Sequence, residues 1–297
     1  MNILITGGAG NIGGSLAMRL REKHNVSIID NLSASSLTGL DLDRIDFYNA
    51  NVNENQGFLQ YVFDESKPDL VFHFAACVGV KRTQQYPFSV LDDINGIKNI
   101  LQHSLRAKRV FYASSSEVYG PLVNEPQHED KTPLNPTTTY AAVKLIGEHY
   151  FKAYSKQYGL PYTIFRFFNT YGPRQSNNFV IKKFIDLAIQ NKDIPIYGKG
   201  DQSRTFLYID DALDTIEKII SDDLCINDTI NIGNRAEYTI LDLAKIIIEM
   251  TGASSKIEFL DPLEYGDMMR RKPNIKKMTK ILMRPPTMLF DGINKML

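Results

Sequence analysis

The sequence predicts an α/β protein, with a doubly wound parallel sheet followed by a smaller mixed C-terminal region. Three observations predict this fold class. Short runs rich in Ile, Val and Phe alternate with segments of helical period over the first 168 residues, a glycine-rich turn joins the first run to the first helical segment, and the alternation ends after residue 168. Repeated β–α alternation is typical of parallel sheets covered by helices on both faces.

Five apolar runs carry bulky side chains toward both faces, as strands do when they are buried in the middle of a parallel sheet. Four intervening segments have the helical period instead. The strands are expected at 3–6, 26–30, 70–76, 109–115 and 162–168, and the helices at 13–23, 54–66, 88–107 and 139–158.

Beyond residue 168 the chain is expected to form a more mixed structure. Residues 179–190 have the pattern of an amphipathic helix, and 195–211 form a turn-rich stretch with short strands. Residues 239–252, TILDLAKIIIEMTG, predict another helix, with Thr239 as its N-cap and Gly252 as its stop.

The composition disfavours several classes of function. Thirty-four basic residues balance thirty-four acidic ones, so no overall field attracts nucleic acid or an anionic membrane. The first residues lack the basic region of a secretory signal, and no apolar run is long enough to span a bilayer. Cys77 and Cys225 lie far apart, and the five histidines have no ligand spacing, so we expect reduced thiols, a cytoplasmic location and no metal.

The glycine-rich turn GGAGNIG, residues 7–13, fits a dinucleotide-binding loop. It follows a strand and opens a helix, so its glycines allow the pyrophosphate to approach the helix N-terminus. Asp30 ends the next strand, where a carboxylate accepts from a ribose hydroxyl; Asn31 follows it rather than a basic residue, which favours NAD over NADP. Expected cofactor contacts are Gly7, Gly10, Asn11, Ile12, Gly13, Asp30 and Asn31.

The sequence of this turn has two other interpretations. One is a tight structural turn beside a surface aspartate. The other is a P-loop, which Gly8 to Ser15 nearly fits, but Gly14 stands where that motif requires lysine. The lack of this lysine excludes an NTPase loop.

A tyrosine and a lysine four residues apart, in YAAVK at 140–144, suggest proton chemistry. Their spacing places Tyr140 and Lys144 on one helix face, and the lysine charge is expected to lower the tyrosine pKa from about 10 toward neutrality. The segment SSSEVYG, 114–120, follows a predicted strand at the carboxyl edge of the sheet, where such folds bind ligands. A tyrosinate there would take a proton from a hydroxyl as hydride leaves for a nicotinamide.

Taken together, the motifs resemble the extended short-chain dehydrogenase/reductase family over essentially the whole chain. They are TGGAGNIGG, Asp30, HFAA, SSSEVYG, YAAVK, RFFNTYGPRQ and GDQSRTFLYIDD, in that order. The resemblance implies an NAD-binding Rossmann domain over 1–168, to which part of 206–234 returns, and a nucleotide-sugar-binding region over 169–297. It also implies a homodimer formed through the helices at 88–107 and 139–158.

The resemblance further implies roles for individual residues. Tyr140 is the base, Lys144 tunes it and orders the nicotinamide ribose, and Ser115 shares the proton. Asn51 departs from the aspartate that is usual near the adenine, which alters that contact. Further implied cofactor contacts are Val52, Ala75, Ala76 and Asn95, and implied substrate contacts are Ser116, Asn169, Arg204 and Arg271.

Relatives of this kind oxidise a sugar hydroxyl, typically at C4, and differ in the fate of the ketone. Glu117 stands where dehydratases and decarboxylases carry glutamate, and RRKPNI resembles the arginine segment of the decarboxylases. Against this, HFAACVGVKR and YGPRQ resemble the epimerases, and Glu117 has a purely structural interpretation, as a turn carboxylate bonded to nearby N–H groups. Ser116 differs from the aspartate of dTDP-glucose dehydratases.

The resulting prediction is 4-epimerisation first, then decarboxylation, then 4,6-dehydration, with net oxidation as a further alternative. A non-catalytic NAD sensor is a different class of function, and the presence of Ser115, Tyr140 and Lys144 argues against it. The loops at 81–90, 122–131 and 172–180 are expected to set substrate specificity.

Overall fold

The computed structural model describes residues 1–54, 56–121, 126–262 and 270–297. Within these ranges the strands are β1 (Asn2–Thr6), β2 (Asn25–Asp30), β3 (Ile45–Asn49), β4 (Leu70–His73), β5 (Arg109–Ser115), β6 (Tyr162–Phe167), β7 (Thr170–Tyr171), β8 (Ile194–Tyr197), β9 (Ser203–Thr205), β10 (Leu207–Tyr208), β11 (Asp228–Ile232), β12 (Glu237–Thr239) and β13 (Ile257–Leu260).

The helices described in the same ranges are α1 (Asn11–Leu20), α2 (Gln56–Ser66), α3 (Val80–Gln85), α4 (Pro87–His103), α5 (Thr139–Tyr158), α6 (Val180–Ile189), α7 (Ile209–Ser221), α8 (Ile240–Thr251), α9 (Lys276–Leu282) and α10 (Leu289–Asn294). Two short 3-10 helices cover Ser104–Arg106 and Ser116–Tyr119. In the part of the chain that the structure describes, no helix is long and apolar enough to cross a membrane.

Seven strands form one parallel sheet in the order β11-β6-β5-β4-β1-β2-β3. This order confirms the predicted doubly wound fold, since the chain winds outward in both directions from the middle of the sheet. Along β1, Ile3 and Ile5 face one hydrophobic cluster while Leu4 faces the other. Both faces are therefore covered, which explains why these strands read as unbroken apolar runs.

The predicted elements agree with the observed ones apart from their ends, but helices α7, α9 and α10 and the edge strand β3 were not predicted. In β3 only Ile45 is buried, so its side chains form no buried apolar run. The strand expected at 70–76 ends at His73, and the helix expected at 88–107 is α4, preceded by the separate helix α3.

The helix α5 has the bounds that the sequence predicts, and its two ends show why. Thr138 caps it by accepting from the Ala141 N–H at 3.1 Å, and Gly159 ends it with φ of +71°. The same logic confirms α8, where Thr239 accepts from the Asp242 N–H and Gly252 adopts φ of +63°.

The chain after β6 forms smaller pairs, β10 with β7, β12 with β9 and β13 with β8, as the predicted mixed region requires. Strand β11 returns to the large sheet beside β6. The specificity loop expected at 122–131 lies partly outside the described residues, which omit 122–125.

Candidate active site

The glycine loop between β1 and α1 has no room for a side chain at Gly7 or Gly13. Gly7 has φ of +69°, and a Cβ there would lie 2.7 Å from the backbone nitrogen of Ala75. A Cβ on Gly13 would lie 2.3 Å from the carbonyl oxygen of Gly7. Helix α1 begins with Gly10 as its N-cap and has no side-chain cap, so its first turn presents backbone N–H groups to an anion. Gly7, Gly10, Asn11, Ile12 and Gly13 thus form a cradle that fits a pyrophosphate.

Asp30 at the end of β2 is buried and tied to this loop. One carboxylate oxygen accepts from the Ala9 N–H at 3.0 Å, and the other from the Leu32 N–H at 2.8 Å and the Ser35 hydroxyl at 2.7 Å. A carboxylate has about four acceptor positions, so one remains for a ribose hydroxyl. The Asn31 side chain accepts from the Ser33 N–H at 3.1 Å and shapes the same loop.

The other expected cofactor contacts fall into three groups. Val52 is buried, and Ala75 and Ala76 lie against a small cavity beside α5. Asn51 turns onto its own loop, donating to Glu54 at 2.8 Å and accepting from the Asn53 N–H at 3.1 Å. The Asn51 side chain is thus hydrogen-bonded within its own loop and is neutral, whereas the aspartate that the family resemblance implies at this position would carry a negative charge.

Asn95 does not line the cavity beside Lys144, and the cofactor contact expected of it stays a prediction. Asn95 is exposed on α4, whereas Asp93, two residues earlier, is buried and lines the cavity beside Lys144. Residues two apart lie about 200° apart around a helix, so only one of the two can face the sheet. Asp93 completes the buried stripe of Val90, Ile97 and Ile100, and an acid within that stripe is the sequence signal that would have identified it.

Ser115, Tyr140 and Lys144 meet at the carboxyl edge of β5. The Tyr140 and Ser115 side chains lie close enough to interact, and Ser115 Oγ accepts from the Glu117 N–H at 3.2 Å. Lys144 Nζ lies 5.7 Å from the Tyr140 ring centroid and donates to the Ala113 carbonyl at 2.7 Å. A base, a hydroxyl and a buried cation therefore lie together, as the sequence predicts.

The predicted lowering of the Tyr140 pKa is wrong for this arrangement. Burial raises the pKa of Tyr140 above its ordinary value, and the nearby Glu117 carboxylate raises it further. Burial also lowers the pKa of Lys144 to about 8, an effect that the Asp93 charge opposes. Ser115 and Arg271 act to lower the pKa of Tyr140, and burial together with Glu117 outweighs them.

Glu117 faces the same space from the 3-10 helix after β5. Arg271 Nη2 lies 3.4 Å from Glu117 Oε1, and the Thr138 hydroxyl donates to Glu117 Oε2 at 3.2 Å. The side chains of Glu117 and Arg271 are only 15% and 8% exposed. Within the described part of the chain, the carboxylate therefore accepts from a hydroxyl and lies beside a guanidinium, whereas the structural interpretation expects backbone N–H partners.

The basic segment at 270–272 divides between two sides. Arg270 and Lys272 both pair with Glu237, at 2.6 and 2.7 Å, on the outer side. Arg271 turns inward to Glu117. This alternation singles out Arg271 as the site arginine.

The remaining substrate residues lie on neighbouring segments. Asn169 donates to the Thr205 carbonyl at 3.1 Å, which places it beside Arg204 on β9, whose Nη1 donates to the Ser203 carbonyl at 2.7 Å. Ser116 is 2% exposed and offers little surface to a substrate. Among the described residues no cluster of three metal-ligating side chains occurs.

Comparison with known proteins gives the family. The family model described as "NAD dependent epimerase/dehydratase family" matches residues 3–233. The chain is 34% identical over 310 residues to the UDP-N-acetyl-alpha-D-glucosaminuronate decarboxylase of Bacillus cytotoxicus, covering 97% of this chain and 94% of that protein. The chain belongs to the NAD-dependent epimerase/dehydratase family.

Solved structures of family members agree in fold. The UDP-glucose 4-epimerase of Thermotoga maritima, in complex with UDP-glucose, superposes with a TM-score of 0.93 at 28% identity, covering 100% of this chain and 97% of that one. The UDP-glucuronic acid 4-epimerase of Bacillus cereus, in complex with UDP-glucuronic acid and NAD, gives 0.89 at 27% identity, covering 99% and 97%. Further matches include dTDP-glucose 4,6-dehydratases. The family's cofactor, NAD, is the one that the glycine loop and Asp30 predict.

Arg174 lies in the motif RFFNTYGPRQ and has a role that the sequence does not predict. Its guanidinium donates to the carbonyls of Ala9, Ser36 and Thr38, each at 3.1 Å. It therefore clamps the glycine loop to the loop that follows Asp30. A motif shows that an arginine is present, but only the fold shows that the loop before α6 passes over the cofactor cradle.

Proposed function

We propose that the protein is an NAD-dependent decarboxylase of a nucleotide-linked hexuronic acid. The observation that carries the proposal is the nearly buried Glu117–Arg271 pair beside Tyr140. Oxidation and return of hydride at C4 need only a base, a hydroxyl and a lysine, so a second pair of charged groups in the same space implies a further chemical step. The similarity to a hexuronate decarboxylase over nearly the whole chain supports the same choice.

The first step belongs to Tyr140. Its hydroxyl, beside Ser115, takes the proton of the sugar C4 hydroxyl; the glycine loop and Asp30 would hold NAD, which would supply the hydride acceptor and donor for C4. Lys144 holds positive charge under the tyrosine ring. The C4 ketone that results is β to the C6 carboxylate.

The second step belongs to Arg271 and Glu117. The C5–C6 bond breaks, carbon dioxide leaves, and the bonding electrons move into an enolate spanning C4 and C5. The Arg271 cation favours the binding of the carboxylate and stabilises the enolate charge, and a proton delivered to C5 from the Glu117 side restores the ketone. After C4 is reduced, Tyr140 returns its proton, so the overall change is loss of carbon dioxide and gain of one proton.

A second candidate is the 4-epimerisation that the sequence analysis placed first. The observation that favours it is the close superposition on 4-epimerases, one of which binds UDP-glucuronic acid. In that reaction Ser115, Tyr140 and Lys144 suffice, and Glu117 only anchors Arg271. Dehydration is less well supported, because Ser116 is buried and supplies no acid for a leaving hydroxyl.

The deciding experiment is mass analysis of products after incubation with NAD and a panel of UDP-, GDP-, dTDP- and CDP-sugars that includes UDP-glucuronate and UDP-N-acetylglucosaminuronate. Loss of carbon dioxide from a uronate supports the proposal. Unchanged mass with inverted C4 indicates epimerisation, loss of water dehydration, and loss of two hydrogens net oxidation. Bound NAD without turnover of any sugar would indicate a sensor.

We also propose that two copies pair through α4 and α5, that 1–168 and 169–297 act as the cofactor and nucleotide-sugar regions, and that the free thiols Cys77 and Cys225 reflect a cytoplasmic location. The dimer is supported by large exposed apolar side chains on both helices. These are Phe88 at 81%, Leu91 at 54%, Tyr150 at 51% and Tyr158 at 51% exposed. Light scattering of the purified protein tests the pairing, and Phe88→Ser is expected to weaken it.

A further inference from the structure

A small, partly open cavity lies beside Lys144, between the sheet and helices α4 and α5. Its polar lining residues are His73 from β4, Tyr112 from β5, Asp93 from α4, and Tyr140 and Lys144 from α5. Asp93 is the only carboxylate among the described residues that line it. The cavity therefore places one acid and one amine in a shared, poorly hydrated space.

Among the described residues that line this cavity, Asp93 is the group whose negative charge can balance the positive charge of Lys144. Lys144 is 4% exposed, and its ammonium group donates a hydrogen bond to the neutral Ala113 carbonyl. His73 is fully buried, its Nδ1 lies 2.9 Å from the Thr6 hydroxyl, and burial lowers its pKa to about 3, so it stays neutral. A buried ammonium group needs a nearby opposite charge to keep its proton.

The Asp93 carboxylate is held in place by backbone and side-chain donors. The Cys77 N–H donates to one oxygen at 2.8 Å, and Asn53 Nδ2 donates to the other at 3.2 Å. Asp92, the next residue on the same helix, is exposed. The two neighbouring acids therefore differ mainly in burial, which makes Asp92 a matched control for Asp93. Asp93 is thus fixed on the cavity side of α4.

We propose that Asp93 is the counter-ion of Lys144 and keeps this lysine protonated in the working pH range. Asp93 is a positioning residue, because it acts through Lys144 and touches neither the sugar nor the reacting atoms. The inference rests on the catalytic role of Lys144 in the proposed function, but it holds whether the ketone is decarboxylated or epimerised. Removing the Asp93 charge is expected to let Lys144 lose its proton at lower pH, which removes the positive charge beside the Tyr140 ring.

The first test measures the coupling between the two charges and needs neither substrate nor NAD. Urea unfolding at pH 7 is compared for the wild type, Asp93→Asn, Lys144→Met and the double variant, with a parallel cycle in which Asp92→Asn replaces Asp93→Asn. We expect the double variant to be more stable than the sum of the single changes predicts, and the Asp92 cycle to be additive. Additivity in both cycles would overturn the proposal.

The outcome is decisive even if one variant does not fold. If the Asp93→Asn variant does not fold but the double variant with Lys144→Met does, the counter-ion role is supported, because the second substitution removes the lysine charge that the first left uncompensated. Failure of both would show that Asp93 serves the packing of α4 instead.

The second test follows the alkaline side of the pH profile. Wild type and Asp93→Asn are compared for NAD affinity and for NADH formation in a single turnover with a UDP-sugar that the wild type oxidises. We expect the alkaline fall of both quantities to move down by about one pH unit in Asp93→Asn and to stay in place in Asp92→Asn. The other titratable groups facing Lys144, His73, Tyr112 and Tyr140, are unchanged in both variants, so an unmoved alkaline limb would refute the proposal. Failure of the proposed function would appear differently, as absence of carbon dioxide with the shift retained.

Discussion

Replacement of Arg271 by methionine tests the proposed chemistry most directly. Methionine keeps much of the length of the side chain and removes the charge that faces Glu117. The proposed role requires the carbon dioxide step to slow while the first oxidation, which depends on Tyr140, proceeds. The structure allows the effects on stability and on activity to be estimated separately.

The expected loss of stability is small. The 3.4 and 3.5 Å separations between Arg271 and Glu117 lie beyond ordinary hydrogen-bond lengths. Such a loose pair contributes about 1 kcal/mol, well below the ~3–5 kcal/mol lost when a tight buried pair is broken. A change of that size lowers Tm by about 2–4 °C in a chain of this class.

The expected loss of activity is much larger. Removal of one preorganised electrostatic donor typically slows a reaction about 100- to 1,000-fold, or ~2.7–4 kcal/mol of barrier. The assay is rapid mixing with saturating UDP-glucuronate, or with the uronate that the product screen identifies, recording NADH by absorbance and carbon dioxide by a coupled assay. We expect NADH formation within about threefold of wild type and accumulation of the keto intermediate.

The matched control is Arg270→Met. Arg270 lies one residue away, is half exposed and pairs with Glu237, so its loss should leave both steps unchanged. Two results would refute a role for Arg271 after the oxidation. One is release of carbon dioxide by the Arg271→Met variant at the wild-type rate, and the other is equal slowing of NADH formation and carbon dioxide release in that variant.

Four other changes have expected outcomes. Tyr140→Phe should abolish NADH formation without lowering Tm, measured by absorbance and by calorimetry. Asp30→Ala should weaken NAD binding at least tenfold in calorimetric titration, since the loop loses three hydrogen bonds at one carboxylate. Because burial lowers the pKa of Lys144 to about 8, turnover by the wild type should fall as pH rises through 8. Thr239→Ala removes the cap of α8 and should cost about 1 kcal/mol in urea unfolding, with activity per folded molecule retained.

The features that the sequence predicts best are those fixed by local chemistry. The glycine loop, the cap and stop of α8, and the i, i+4 pair Tyr140 and Lys144 each follow from residues that are neighbours in sequence. The strand β3 was not predicted, because an edge strand of mixed burial has no apolar run. Local patterns therefore predict local structure, and they fail where burial depends on distant segments.

The errors and omissions at the site have the same origin. The motif match names Asn95 and says nothing of Asp93, because only the packing of α4 against the sheet decides that Asp93 is the buried one of the two. The pKa of Tyr140 was judged from the neighbouring lysine alone, whereas burial by the surrounding structure dominates it. Likewise, nothing in RRKPNI shows that Arg271, not Arg270, points toward Glu117.

Helix α5 links the fold to the chemistry through one continuous face. Tyr140, Lys144 and Glu148 follow one another at four-residue intervals, and Glu148 is fully buried in a bidentate pair with Arg166 at 2.7 and 2.8 Å. The same carboxylate accepts from the Ser114 hydroxyl at 2.6 Å, next to Ser115. Two buried contacts therefore fix the height of α5 against the end of β5.

This anchor extends to the 3-10 helix that carries Glu117. Arg166 also donates to the Tyr119 hydroxyl at 2.9 Å, and that hydroxyl donates to Asn231 on β11 at 2.8 Å. Asn231 in turn donates to the Asn274 carbonyl at 3.2 Å, close along the chain to Arg271. The position of Tyr140 and the positions of Glu117 and Arg271 thus depend on one buried hydrogen-bond network. A site that has to oxidise a sugar and then act on the ketone without releasing it needs this property, because both sets of groups must stay in register around a single bound molecule.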